Sequence, residues 1–380
     1  MRLKPTYYEF FAGGGMVRAG LGHGWECLLA NDISPMKGAA YVDNYGADDL
    51  VIGDIYDLKA SDLPGCPDLA WGSFPCQDLS LAGAGAGLQG DRSSCFWGFW
   101  SLVQGLTQAG RKPPLVVLEN VYGVLTSHDG TDFESIVKAI AQQGYTVCVL
   151  VVDAIHFVPQ SRPRVFILGI DQSWKLPDGL IGVGPSTAWH PVALIRAHNR
   201  LPAKLKLDWA WISPALPRTR LQTLDDIVEP DPQGISWHSD AQTQRLLEMM
   251  APLHRAKVLQ AQAVGKLTVG TIYRRTRLGV QRAEVRFDGV AGCLRTPTGG
   301  SSRQTIIVVD GPRIRSRLLS PREAARLMGL EDNYKLPTRY NDAYHVAGDG
   351  VVVPVVAHIT RTVLEPILTA NVAALRRKAA

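Results

Sequence analysis

The stretch EFFAGGGMVRAGLG, Glu9 to Gly22, decides the fold class. Three consecutive glycines, Gly13, Gly14 and Gly15, follow the apolar run TYYEFF and precede MVRAGLGHG, which reads as the start of a helix. Glycine lets the main chain bend sharply and approach a ligand closely, so the stretch predicts a strand, a ligand-facing turn and a helix. The next strand, ECLLAND, closes on Asp32, about 20 residues on, where a carboxylate would grip ribose hydroxyls. The glycine spacing is not a clean GxGxxG. On this stretch alone a nicotinamide-nucleotide site and a plain tight turn both stay open.

Outward from the turn, short apolar runs alternate with helix-length amphipathic stretches. PDLAWGSF, LVVLENV, TVCVLVVDAIHF and RPRVFILGI read as further strands. SPMKGAAYVDNYG, CFWGFWSLVQGLTQAG and TDFESIVKAIAQQG read as helices. This βαβα alternation predicts an α/β fold, a mostly parallel sheet with helices on both faces. From about Trp174 to Gly234 the periodicity dissolves into a Pro-, Trp- and Gly-rich stretch. AQTQRLLEMMAPLHRAKVLQAQ then reads as helix and LTVGTIYRRTRLGVQRAEVRF as a basic β-ribbon. In SPREAARLMGL, Ser320 is an N-cap and Glu323 completes a capping box, and VVPVVAHITRTVLEPILTANVAALRRK reads as helical. A chain of 380 residues suggests one large domain with a smaller one. The expected boundaries are 1–180 for a catalytic and cofactor domain, completed by 335–380, with 181–334 as the smaller domain.

Charge is spread unevenly. Residues 186–330 hold 22 Lys and Arg against 11 Asp and Glu, while the remainder holds 18 against 24. A basic segment grafted onto an acidic body is the footprint of a polyanion-binding region, although a solvated basic face gives the same count. The six cysteines (27, 66, 76, 95, 148 and 293) form no CxxC pair and no cluster with histidine. Neither a structural metal nor a disulfide framework is expected, and a reducing cytoplasm is. MRLKPTYYEFF has no apolar signal region, and no apolar run approaches the roughly 18 residues that span a bilayer.

In GSFPCQDLS, Cys76 and Pro75 follow the strand DLAWGSF, at the sheet edge where ligands bind in open α/β folds. The continuation LAGAGAGLQGD suggests a loop able to close over a substrate. A free thiol has a pKa near ~8.5, so a nucleophilic cysteine needs help from its surroundings. LVVLENV puts Glu119 and Asn120 at another strand end, where poor solvation raises a carboxyl's pKa and suits a proton donor. QSRPRVF supplies Gln160 and places Arg162 and Arg164 on one strand face. A core cysteine, a strand-end ion pair and an arginine–carboxylate pair are each ordinary, but jointly and in this order they are far less so.

FAGGG, PCQ, ENV, QSRPR, SRLLSPREAARLMG and GDGVVVPV together resemble the DNA (cytosine-5) methyltransferases of bacterial modification type, in order from about Tyr7 to Ile359. The resemblance implies a Rossmann-like S-adenosylmethionine-dependent methyltransferase sheet with a smaller target-recognition domain. Phe11, Gly13, Gly15, Met16, Asp32, Ile33, Asp54, Ile55, Asp349 and Val351 would hold S-adenosylmethionine, Asp54 facing the adenine amino group. Cys76 would attack C6 of a flipped-out cytosine and Glu119 would protonate or hydrogen-bond N3. Arg162 and Arg164 would act on the O2 side of the base and on nearby phosphate, and Asn120 would fix the Pro75–Cys76 loop. The covalent step is needed because C5 of cytosine is too electron-poor to attack unaided, and flipping because stacking blocks C6. Residues 187–287 would be the target-recognition region, with Arg274, Arg275 and Arg277 gripping phosphate or reading guanine. In RTPTGGSSRQ, Arg295, Thr298, Gly299, Gly300 and Arg303 would enter the groove beside the flipped base. The sequence departs from the pattern at Asp349, where asparagine is usual, at Gly350, where a small polar residue is usual, and at Met16, where glycine is common.

The expected activity is methyl transfer to C5 of cytosine in a specific double-stranded DNA sequence, by a cytoplasmic monomer with a possible cognate restriction endonuclease acting on the same site. A transfer-RNA cytosine methyltransferase of the same fold is the alternative, and the long basic insert favours DNA. A catalytically dead DNA-binding module would not keep both Cys76 and Glu119, and a nicotinamide oxidoreductase leaves PCQ and ENV unexplained.

Overall fold

The structure, a computed structural model, describes residues 4–75, 95–277, 279–295 and 303–371. Strands β1 (Thr6–Phe10), β2 (Glu26–Asp32), β3 (Leu50–Ile52), β4 (Leu69–Gly72), β5 (Leu115–Val121), β6 (Tyr145–Asp153) and β7 (Pro163–Asp171) make a sheet ordered β3-β2-β1-β4-β5-β7-β6. Helices α1 (Met16–Leu21), α2 (Pro35–Tyr45), α3 (Cys95–Gln108) and α4 (Thr131–Gln142) connect them, and α5 (Val192–Arg200) and α6 (Ala203–Leu207) follow. β1 runs parallel to β2 and β4, and β4 to β5. β7 runs antiparallel to β5, because the short connection 154–162 has no room for the crossover that a parallel return needs. The mixed α/β architecture anticipated from the alternation is the one observed.

The central strands carry near-continuous apolar runs because both of their faces are covered. Every residue of β4 is buried, as is every residue of β5 except Val121. Aromatic side chains of α3 pack beneath the strand ends, Phe99 edge-on to Phe10 at 5.3 Å and Phe96 against Phe74 at 5.6 Å.

The chain divides into two compact units, 1–152 with 163–217 and 353–380, and 153–162 with 218–352. The sequence reading placed 181–217 with the smaller unit and 335–352 with the larger. The first segment joins the sheet-bearing unit because it covers the open edge of β6, where Val147 accepts from Ala210 N–H at 2.9 Å and donates to Asp208 O at 2.6 Å. An unpaired edge is a liability that such a flap removes.

The second unit holds α7 (Asp240–Glu248), α8 (Pro252–Ala263), β8 (Thr268–Arg277), β9 (Val280–Arg286), β10 (Thr305–Asp310), β11 (Arg313–Leu318), α9 (Pro321–Leu327) and α10 (Tyr340–Asp349). Its antiparallel sheet is ordered β11-β10-β8-β9. Ile272, Ala283, Val285, Ile307 and Val309 form a core with Met250, Val258 and Ala261. The single helix expected over 241–262 is broken, since Pro252 starts a new one at N1 and disfavours helix in the residue before it. Ser320 and Glu323 form the anticipated capping box. Glu323 also takes a bidentate bond from the wholly buried Arg317, at 2.6 and 2.8 Å.

The chain returns to the first unit with α11 (Val353–Ile359) and α12 (Glu365–Ala370). The helical stretch Tyr340–Ala370 is long and apolar enough to cross a membrane by length and composition alone, with 61% of its apolar window buried. The sequence reading saw no such run because it missed α10, which leads into α11. Burial on this scale marks a core helix.

Candidate active site

In the first unit, the carboxyl ends of β1, β2 and β3 build the glycine-turn site. Phe11 takes φ 59°, Gly13 φ 55° and Gly15 φ 77°. A bulky residue in the left-handed region is a strained choice that surroundings must enforce. A Cβ on Gly13 would meet nothing within 4 Å, so the turn faces open space, whereas a Cβ on Gly15 would stand 2.5 Å from the Tyr45 ring. Asp32, buried at the end of β2, binds the turn back onto the sheet. Its Oδ2 accepts from Gly13 N–H and its Oδ1 from Ser34 N–H, both at 2.8 Å. Each carboxylate oxygen keeps a second acceptor site. Ile33 beside it is 65% exposed, an apolar surface next to a carboxylate. Asp54 caps the following 3₁₀ turn, accepting from Tyr56 N–H at 3.0 Å, and Ile55 and Met16 are buried. A bare main-chain turn opening on space, a hydroxyl-binding carboxylate and an apolar wall fit a nucleoside-bearing methyl donor.

The second cluster lies at the ends of β4 and β5. Glu119 is buried, and Arg164 Nε donates to its Oε1 at 3.1 Å. The antiparallel pairing of β5 with β7, which sets Val121 opposite Arg164, brings them together. Asn120 Nδ2 donates to the Phe74 carbonyl at 3.3 Å, and Asn120 Oδ1 accepts from Val121 N–H at 2.8 Å. Asn120 therefore grips the main chain immediately before the half-buried Pro75. Cys76 lies outside the described residues.

Arg162 and Arg164 do not share a strand face, because β7 begins at Pro163. Arg162 belongs to the second unit and is buried there. Its Nη1 donates to Leu294 O at 3.0 Å and its Nη2 to Gly348 O and Gly350 O at 3.0 and 2.9 Å. Neighbouring Gln160 donates to Leu327 O at 2.8 Å and accepts from Leu294 N–H at 3.0 Å. Both side chains fasten main chain. At the end of α10, Asp349 is exposed and Val351 beyond it is buried.

On the β8–β9 ribbon, Arg275 pairs in register with Arg282, and Arg274 with Ala283. Side chains alternate along a strand, so Arg274 shares the side of core residue Ile272, opposite to Arg275. Arg275 is held in place: it lies over the Tyr273 ring at 4.7 Å, and its Nε stands 3.4 Å from Glu284 Oε1. Arg277 ends β8 and Arg295 is exposed. Arg303 bonds Asn341 Oδ1 and lies over the Tyr340 ring at 5.1 Å. Thr298, Gly299 and Gly300 lie outside the described residues.

Sequence reasoning passed over Glu9, a fully buried acid in β1, and the cluster around it. The signal was there: one charge inside the apolar run TYYEFF.

A parallel-rich sheet with a glycine turn after β1 and an acid ending β2 defines a Rossmann-like methyltransferase. The family model for C-5 cytosine-specific DNA methylase matches residues 6–365, and the chain belongs to that family. It is a DNA (cytosine-5)-methyltransferase, and its methyl donor is S-adenosylmethionine. It is 26% identical to the type II methyltransferase M.BsuFI of Bacillus subtilis over 377 residues, covering 99% of this chain and 76% of that one. To M.HpaII of Haemophilus parainfluenzae it is 26% identical over 380 residues, covering 97% and 91%. Among solved structures, the Dnmt2 methyltransferase of S. pombe superposes with a TM-score of 0.60 at 16% identity, covering 95% of this chain and 99% of that one.

Proposed function

We propose that the enzyme methylates cytosine through a covalent bond between Cys76 and C6 of a base flipped out of duplex DNA. The observation that supports this reading most is the pair of bonds at the end of β5. Glu119 is fixed by Arg164, and its neighbour Asn120 holds the carbonyl of Phe74, two residues before the thiol. Sulfur addition at C6 leaves excess electron density on the ring. Glu119, hydrogen-bonded or proton-donating at N3, takes up that charge, so C5 becomes enamine-like and nucleophilic. S-adenosylmethionine supplies an electrophilic methyl group on a sulfonium. Loss of the C5 proton and expulsion of the sulfur then restore the aromatic ring and the thiol. Flipping is required because stacking covers C6.

The donor would rest on the Gly13–Gly15 turn, with Asp32 toward the ribose, Ile33 and Ile55 beside the adenine, and Asp54 toward its amino group. Arg164 orients Glu119. Arg162 acts as an organiser of its own unit, and the exposed Asp349 carries no donor contact that the geometry supports. Arg275 and Arg282 would grip DNA phosphate. The enzyme would act in the cytoplasm as a monomer, alongside an endonuclease cutting the same site, as the type II names of its relatives suggest for them. The fold likeness to the S. pombe structure, at 16% identity, does not carry the transfer-RNA alternative.

Cys76→Ser is the direct test. Methyl transfer should vanish while S-adenosylmethionine binding stays near wild type. Turnover above a few per cent of wild type would overturn the covalent reading.

A further inference from the structure

We propose that Glu9 is a positioning residue for the methyl donor: from inside β1 it holds the first turn of α1 in place of the side-chain cap that this helix lacks, and its protonation ties donor affinity to pH. The inference rests on the reading that the donor occupies the Gly13–Gly15 turn.

The N-cap of α1 is Gly15, which has no side chain to offer, and first-turn N–H groups have no partner within a helix. The Glu9 carboxyl faces the N–H groups of Val17 and Arg18 in that turn. It closes no well-aligned hydrogen bond to either and is 1% exposed. Burial without full pairing favours a neutral acid, and here burial pushes the carboxyl up to about 8.

The groups facing it come from every element around it. They are Tyr7 on its own strand, Arg18 on α1, Cys27 on β2, Tyr41 and Tyr45 on α2, and Asp49 before β3. Arg18 is the cation in this group, and it is already bonded to Asp49 and to the Tyr41 hydroxyl. A second negative charge at Glu9 would therefore go largely unbalanced. Arg18 also lies over the Tyr41 and Tyr45 rings, at 5.5 and 4.9 Å, and those rings are what a Cβ on Gly15 would strike. The cluster and the donor's turn are one packed body. When Glu9 ionises, its nearest donors are the first-turn N–H groups, and drawing on them deforms the turn that shapes the site.

The test is calorimetric titration of S-adenosylhomocysteine, the demethylated donor, into wild type, Glu9→Gln, Glu9→Leu and Ile33→Asp between pH 6.5 and 9.5. Glu9→Gln keeps a neutral side chain of the same shape, so its affinity at pH 7 should stay within about threefold of wild type. Wild type should lose about tenfold more affinity than Glu9→Gln between pH 7 and 9.5, one logarithmic unit of proton linkage. Glu9→Leu, if folded, should bind about tenfold more weakly at pH 7; if it unfolds, the Gln variant decides alone. Parallel pH profiles for wild type and Glu9→Gln, or a folded Glu9→Leu with undiminished affinity, would overturn the proposal. Ile33→Asp separates the two readings. If it binds normally, the donor does not lie at this turn and both readings fall. If it binds poorly while the two profiles coincide, only the role of Glu9 is lost.

Discussion

Arg164 Nε stands 3.1 Å from Glu119 Oε1 across the antiparallel β5–β7 pair. The bond fixes the plane of the one buried carboxyl at the end of β5. Glu119→Gln preserves its shape but removes the proton donor. General acid groups contribute about 10²–10⁴-fold, so turnover should fall within that range while DNA affinity changes little. A loss below about tenfold would remove Glu119 from the N3 position.

Arg162 gives the opposite expectation. Its guanidinium satisfies three main-chain carbonyls of the second unit, so Arg162→Met should act through stability. Leaving buried acceptors unmade costs about 1–3 kcal/mol each at most, and a total loss of roughly 3 kcal/mol in denaturant unfolding is expected. A variant as stable as wild type but slow in methyl transfer would return Arg162 to the reacting base.

For the basic ribbon, Arg275 and Arg282 form a cross-strand pair. If they bind phosphate, affinity for duplex DNA weakens steeply with salt, because each neutralised phosphate releases counterions. Replacing both with alanine should flatten the salt slope by about one unit for each phosphate that is no longer neutralised. Arg274→Ala, on the opposite side of the strand, should have less effect. Equal slopes for all variants would leave the ribbon a solvated surface.

His190 is buried, and its Nδ1 accepts from Ser186 N–H at 2.7 Å. Burial holds its imidazole down to about 4. The folded state thus keeps it neutral while the unfolded chain protonates it near ~6.5. Its contribution to stability is full above pH ~6.5 and is lost as pH falls toward 4. Thermal unfolding of His190→Asn, which can offer an acceptor near the same place, should show a shallower decline over that window. An unchanged slope would assign the acid sensitivity elsewhere.

Much of this was legible in the sequence because periodicity and chemistry agreed. ECLLAND is β2 to the residue, and ENV ends β5 with its acid buried, as a strand closing on a functional edge should. The capping box at Ser320 needed only local residues. What escaped reading depended on tertiary pairing. Arg162 and Arg164 are two apart in sequence, yet the start of β7 falls between them. Arg274 and Arg275 looked like one cluster until strand alternation divided them. Glu9 was hidden by its own strand, since nothing local says that a lone acid in an apolar run will meet the first turn of the next helix.

The covalent bond to Cys76 is the centre of the account, and one measurement tests it most directly. Duplex DNA carrying 5-fluorocytosine at the methylated position has no proton at C5 to lose, so the reaction should stop with enzyme attached. Incubation with S-adenosylmethionine, digestion and mass spectrometry should find the methylated fluorocytosine on the peptide containing Cys76. No adduct, or an adduct on Cys95, would contradict the mechanism.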